Sequence, residues 1–434
     1  MKQKLEPRVV IVGAGFGGLY AARTLARFPV QLTLLDRKNH HVFQPLLYQV
    51  ATAGLSPADI SAPVRWVLRR YRNAEVLLAE VTGFNLDAHQ VQIGDEYELA
   101  YDYLVIAAGA SHTYFGHEEW ETVAPGLKSV EDALEIRNRV LLAFEVAERQ
   151  AALTGQHPVL TFVVIGGGPT GVEMAGTLAE ITHTALAQDF RAIDPKHARI
   201  LLIEGGPRIL PTYPEDLSQS AQRQLQKLGV EVLTSALVTD MQAGSVKVGS
   251  NSIRADVAVW AAGVAASPLG RSLAVPVDRA GHVLVSSDLS IPGHPEVFVI
   301  GDLAAFRTEE GKMLPGVAPV AIQQGHAVAR NIGRDLKGQP RAPFHYVDKG
   351  SLATIGRAAA VADFGKIHIS GRIAWLAWLF IHIFFLIGFR NRFIVLFQWA
   401  WSYFTYQRGV RLITGEPKLA RTGDLETSNR AKRA

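Results

Sequence analysis

Short apolar runs recur along the chain, and several of them end in glycine or alanine. Residues 9–12 (VVIV) close on Gly13-x-Gly15-x-x-Gly18, and LYAARTLARF follows with the spacing of a helix. VQLTLLD then reads as a strand ending at Asp36. The same order returns later. VLTFVVI leads into Gly166-x-Gly168-x-x-Gly171 and a helical pattern, and ARILLIE is the next strand, ending at Glu204. Three further strands end in small residues: YDYLVIAAGA at 101–110, DVAVWAAGV at 256–264 and EVFVIGDLAA at 296–305. A different pattern closes the chain. Residues 373–389 are apolar all round, with His382 as the one strongly polar member. Arg390 and Arg392 follow, then FIVLFQWAWSYF, then Arg408 and Arg411. Helices are expected at 373–389 and 393–406.

Strand, glycine turn, helix, strand, acid is the order of a dinucleotide site. The glycines let the backbone approach a pyrophosphate, and the helix N-terminus offers unpaired N–H groups and positive dipole. Asp36 lies 23 residues after Gly13, close to the roughly 20 expected of an acid that binds a ribose hydroxyl. Glu204 lies 38 residues after Gly166, which a longer helix plus the loop DFRAIDPKHA would explain. An acid there hydrogen-bonds a ribose 2′-OH and repels a 2′-phosphate, so NADH is favoured over NADPH. The plainer alternatives are a turn that only packs helix on sheet and a solvent-facing Glu.

The 434 residues suffice for two or three domains, and 48% of them are hydrophobic. A net charge of only +4 argues against broad binding of nucleic acid. Cysteine is absent, which removes disulfides, Cys-ligated zinc, iron–sulfur clusters and dithiol redox chemistry. The opening MKQKLEPRVVIVGAG has no long apolar run before the first motif and does not read as a secretory signal, so the bulk of the chain is expected in the cytoplasm. His40 and His41 have no other clustered ligand in the sequence, so turn histidines are expected rather than a metal site.

Two dinucleotide folds suggest two dinucleotides that exchange electrons, a tightly held flavin and a diffusible nicotinamide. In this order the motifs resemble the two-dinucleotide-binding-domain flavoprotein oxidoreductases. Their disulfide reductases and sulfide:quinone reductases work through cysteines, which this chain lacks. NHHVFQPLLYQVATAGLSPADISAPVR, PGVAPVAIQQGHAVARNI and DKGSLATIGRAAAVADF resemble, more narrowly, the type II NADH dehydrogenases, single-subunit NADH:quinone oxidoreductases. The resemblance runs from about Arg8 to about Thr414.

That resemblance implies an α/β chain of two Rossmann-like domains with a C-terminal membrane-anchoring region. The implied layout is an FAD domain at 1–115 and 290–340, an inserted NADH domain at 116–289, a C-terminal region at 341–414 and a polar tail at 415–434. Gly13, Gly15, Gly18 and Asp36 would hold non-covalent FAD, with Ala108, Gly109, Gly301 and Asp302 bordering it. Gly166, Gly168, Gly171 and Glu204 would hold NADH. Glu173 matches an acid near the nicotinamide; its plainer reading is a first-turn Glu on the helix dipole. Gln323 and Gln324 match paired glutamines beside the flavin and the quinone head; their plainer reading is a polar pair near a helix start. Pro319 stands where some relatives have Gln, and the loop from Pro45 to Tyr48 is expected to approach the flavin.

The apolar end admits three readings: a buried core helix, a single span, or two helices lying in one leaflet with arginines at the headgroups. Trp375, Trp378, Trp399 and Trp401 at the edges of the runs favour an interface. A lipid-soluble quinone also needs a site that opens to the bilayer. The expectation is therefore a monotopic homodimer on the cytoplasmic face of the membrane, without proton pumping. Two rivals are a soluble NADH-dependent reductase of a small carrier and a non-enzymatic NADH-binding flavoprotein sensor.

Overall fold

The computed structural model describes residues 6–187, 189–386, 389–405 and 410–415. They form two compact units. The first holds the described residues up to Phe43, with Ser61–Thr113 and Gly263–Lys349; the second holds Gln44–Ile60, Tyr114–Ala262 and the described residues from Gly350 on. Two segments therefore differ from the sequence reading. Residues 263–289 pack with the first unit because Val264–Ala266 pairs antiparallel with Ala110–His112, and Val283–Leu284 runs parallel with Ala304–Ala305. The loop at 44–60 packs with the second unit.

The first unit is built on a six-stranded sheet. Its order is Ser290–Ile291, His294–Val299, Tyr103–Ile106, Arg8–Val12, Gln31–Asp36, Ala74–Leu78. All pairs are parallel except the outermost, Ser290–Ile291 with His294–Val299. Val9, Ile11, Leu34 and Val105 are fully buried, as expected of parallel strands covered on both faces. The glycine-bearing strand lies inside the sheet, where a crevice opens at the strand ends. Its helix, Phe16–Leu25, starts three residues earlier than the apolar spacing suggests, because Gly15 is already the extended N-cap.

The second unit repeats the scheme in four parallel strands, ordered Val230–Leu233, Arg199–Ile203, Thr161–Ile165, Val257–Trp260. The helix after its glycine turn, Pro169–Glu180, runs on into a wider π turn at Ile181–Ala185. The following loop is fastened by Glu148, whose carboxylate accepts the N–H groups of Arg191, Ala192 and Ile193. This long helix and ordered loop account for the wide spacing between Gly166 and Glu204.

A three-stranded antiparallel sheet, Ser351–Gly356, Ala359–Asp363 and His368–Ser370, packs on that helix. The approach is close: a Cβ on Gly176 would lie 1.6 Å from the Ile355 carbonyl oxygen. The two apolar helices follow, at Arg372–Phe385 and Phe389–Thr405. Against the expectation of 373–389 and 393–406, the first helix ends at Phe385 and the second already begins at Phe389, while residues 387, 388 and 406 lie outside the described residues. Leu386 turns extended ahead of Gly388, and its carbonyl accepts the Arg392 Nε–H at 2.7 Å. The second helix begins before the arginines, which therefore lie in its first turn. Among the described residues no helix is long and apolar enough to cross a membrane.

Gly176→Ala is expected to destabilise the second unit by about 1–3 kcal/mol, the usual range for overpacking. A lowered thermal midpoint reads this out; an unchanged midpoint would mean that the sheet shifts away freely.

Candidate functional site

The first glycine turn is fixed by three local demands. Gly13 has φ +100°, and a Cβ there would lie 2.4 Å from the Ala107 carbonyl oxygen. A Cβ on Gly18 would fall 1.8 Å from the Gly13 oxygen, so helix and strand touch at backbone distance. A Cβ on Gly15 would meet nothing within 4 Å. That open space lies at a helix N-terminus with no acid in its first turn, a place suited to an anion.

Ala14, between the first two glycines, is held at both ends. Its N–H donates to Asp36 Oδ2 at 2.6 Å, and Lys38 N–H binds the other carboxylate oxygen at 2.7 Å. Its carbonyl lies 2.9 Å from His41 Nδ1. A carbonyl only accepts, so Nδ1 carries the proton. Burial pushes the His41 pKa down to about 4, leaving the ring neutral. The histidine that invited a metal reading thus shapes the turn.

Gly109 (φ +70°) follows the Tyr103–Ile106 strand, and Gly301 (φ +71°) follows the His294–Val299 strand. The Gly301 N–H donates to Gln324 Oε1 at 2.7 Å, and Gln324 is 1% exposed. Asp302 sits in the same short turn. Gln323 pairs with Val347 through both halves of its amide, at 2.9 and 3.0 Å. Both glutamines therefore fasten backbone of the first unit. They sit on the helix Ala318–Asp335, which lies close against Phe16–Leu25: a Cβ on Gly325 would be 2.4 Å from the Gly17 oxygen.

The second turn uses the same means. Gly166 has φ +107° and abuts Ala261, Gly171 abuts the Gly166 oxygen, and Gly168 faces open space. The Gly167 N–H donates to Glu204 Oε2 at 2.6 Å, and Gly206 N–H binds Oε1 at 2.6 Å. The Gly167 carbonyl accepts the Leu210 N–H at 2.7 Å.

Glu173 is the fifth residue of Pro169–Glu180, beyond the first turn, so its plainer reading as a first-turn acid on the dipole does not hold. It is 9% exposed, and Oε1 has a long contact of 3.4 Å from the Thr354 N–H. Burial raises its pKa to about 8, so it holds a proton at neutral pH. Tyr213 is a buried neighbour whose phenol is pushed up by burial and by the charge on Glu173. Tyr213 and Thr354 lie outside any glycine motif, and nothing in the sequence ties them to Glu173. Another link carries no sequence signal: Trp399 Nε1 donates to Gln49 Oε1 at 2.7 Å, and Gln49 Nε2 donates to the Tyr48 hydroxyl at 3.0 Å.

Known proteins place this geometry. Residues 7–325 match the pyridine nucleotide-disulphide oxidoreductase family, and residues 349–406 match the NDH2 C-terminal domain. The chain is 47% identical to the type II NADH:quinone oxidoreductase Ndh of Mycobacterium tuberculosis, over 96% of this chain and 92% of that protein. The chain belongs to the type II NADH:quinone oxidoreductases. A type II NADH:quinone oxidoreductase of Staphylococcus aureus is 31% identical over 83% of this chain and 90% of its own length. In fold, NDH2 from Plasmodium falciparum in complex with NADH superposes with a TM-score of 0.84 at 21% identity, covering 94% of this chain and all of that one.

Two outcomes test the site. Glu173 has a folded pKa above its unfolded value, so the native state binds the extra proton between about pH 4.5 and about 8. Wild-type stability should therefore fall as pH rises through that window, and the Glu173→Gln curve should be flatter; parallel melting curves from pH 5 to 9 would contradict this. Glu204→Gln should raise the rate with NADPH relative to NADH, and an unchanged ratio would remove Glu204 from cofactor choice.

Proposed function

We propose that the chain oxidises NADH and reduces a lipid-soluble quinone through FAD, without pumping protons. Family membership over nearly the whole chain supports this, and so does the fit of both glycine turns to a pyrophosphate. FAD belongs at Gly13, Gly15, Gly18 and Asp36, with Ala108, Gly109, Gly301 and Asp302 along its length. NADH belongs at Gly166, Gly168, Gly171 and Glu204. Bound at the first turn, FAD supplies two-electron chemistry between the nicotinamide and the quinone.

The residues of the chain position and hold protons. Gln324 fixes the Gly301 N–H, and with it the turn that carries Asp302. Gln323 fixes the segment at Val347. Gln323 has used one amide hydrogen, and Gln324 accepts through its oxygen, so each has an amide N–H left to donate to a ring or carbonyl oxygen. Glu173, protonated at neutral pH, is suited to give a proton to a reduced acceptor or to orient the nicotinamide.

The site of action is the cytoplasmic face of a membrane, reached by the two C-terminal helices as a monotopic anchor. Ile373, Leu376, Phe380 and Phe384 form one exposed apolar stripe at helical spacing, and Phe393, Leu396, Phe397 and Trp401 form another. Ala374 and Trp378 face inward. The first helix thus has one apolar face on protein and one outward, so its sequence shows no polar face. A homodimer completes the proposal.

Under anaerobic conditions NADH should bleach the flavin of the detergent-purified protein, and a soluble quinone should restore it. Bleaching without reoxidation would favour the soluble-carrier reading, and no bleaching would favour the sensor. Truncation before Gly371 should release the protein from membranes; retention would refute the anchor.

A further inference from the structure

Two arginines beside the first unit's sheet are paired. Arg8 bonds Asp102, and Arg341 bonds Asp288 and Asp335. The second unit does likewise, with Arg199 on Glu231 and Arg254 on Asp256. On one surface of the first unit unpaired arginines gather. Arg23 and Arg27 lie at the end of the Phe16–Leu25 helix, and Arg65, Arg69, Arg70 and Arg72 fall within VRWVLRRYRNA, which contains no acid. Among the described residues none of these six makes an ion pair. Arg330 is a seventh, on Ala318–Asp335; the one acid of that helix, Asp335, is taken by Arg341. The next acid along the chain, Glu75, comes on the following strand.

The three segments are contiguous. Asn73 Nδ2 bonds the carbonyls of Phe28 and Val30, at 3.2 and 3.1 Å. The Phe28 ring lies against Gly333, where a Cβ would be 2.4 Å from Cε1. His326, bonded to Thr24 Oγ1 at 2.9 Å, is lowered in pKa by burial and then by Arg330, Arg23 and Arg27, so all three cations lie within electrostatic reach of it. Trp66 is exposed, and the Arg69 guanidinium stacks over its ring at 4.8 Å.

We propose that this arginine surface of the first unit binds the phosphates of anionic lipid headgroups. Guanidinium is the side chain that takes phosphate through two parallel hydrogen bonds, and the charges here are arginine rather than lysine. An exposed Trp beside them suits the headgroup level, where indole is favoured. Segregating unpaired cations onto one face costs self-repulsion, which a negatively charged surface relieves. The inference deepens the reading that the quinone comes from a bilayer, and it rests on that reading.

The test is co-sedimentation of the full chain with phosphatidylcholine vesicles and with vesicles in which about a third of the lipid is phosphatidylglycerol. The variant combines Arg65→Gln, Arg69→Gln, Arg70→Gln and Arg72→Gln, all at exposed positions. Its NADH oxidation with a soluble acceptor should equal wild type and shows that it is folded. Wild type should bind the anionic vesicles on the order of tenfold more tightly than the neutral ones, and salt should weaken the difference. The variant should lose most of that difference while binding neutral vesicles as wild type does. Equal binding of both vesicle types by wild type, or an undiminished preference in the variant, overturns the proposal. So does a wild type that binds polyglutamate but shows no anionic-vesicle preference, which would assign the surface to an acidic protein. Binding to neutral vesicles reports on the C-terminal helices, so failure of the anchor and failure of this surface read differently.

Discussion

One hydrogen bond, made twice, organises both nucleotide folds. At each glycine turn a carboxylate at the end of the second strand accepts the N–H of the residue between the first two glycines, at 2.6 Å in both cases. A bond to a charged acceptor contributes about 1.5–3 kcal/mol. Here it also sets the direction of the turn. The first glycine must take a positive φ against the neighbouring strand, the third must let the helix touch the turn, and the second is left facing open space. The carboxylate thus serves the fold before it serves any ribose.

The two turns differ in how the opposite end of that residue is held. The Ala14 carbonyl is fixed by a neutral buried imidazole, His41, and the Gly167 carbonyl by a backbone amide, that of Leu210. A side-chain clamp ties the first turn to the His40–Val42 strand. The second is held by the chain that follows Glu204 and Gly206. Equivalent geometry therefore rests on different sequence, with His41 serving only the first turn.

Much of this was legible in the sequence, because glycine spacing and strand-end acids are local signals. The parallel strands around each glycine turn, both turns and the presence of the apolar C-terminal helices follow from period and punctuation. What was not legible depends on contacts between distant segments. Glu173 became a protonated buried acid only through packing against the Ser351–Gly356 strand and Tyr213. Gln323 and Gln324 turned out to fasten Val347 and Gly301, partners 24 and 23 residues away. The first apolar helix ended at Phe385 because Leu386 turns extended, although hydrophobicity continued unbroken through the break. Segments 44–60 and 263–289 changed units for a similar reason: strand pairing and helix packing, not chain order, decide membership.

If the two acids anchor two separate turns, their losses must separate as well. The most direct measurement is the FAD content of purified Asp36→Ala and Glu204→Ala proteins beside wild type. The account predicts that Asp36→Ala loses most of its FAD and that Glu204→Ala keeps it while binding NADH more weakly. Full FAD in Asp36→Ala, or loss of FAD in Glu204→Ala with NADH binding intact, would contradict it.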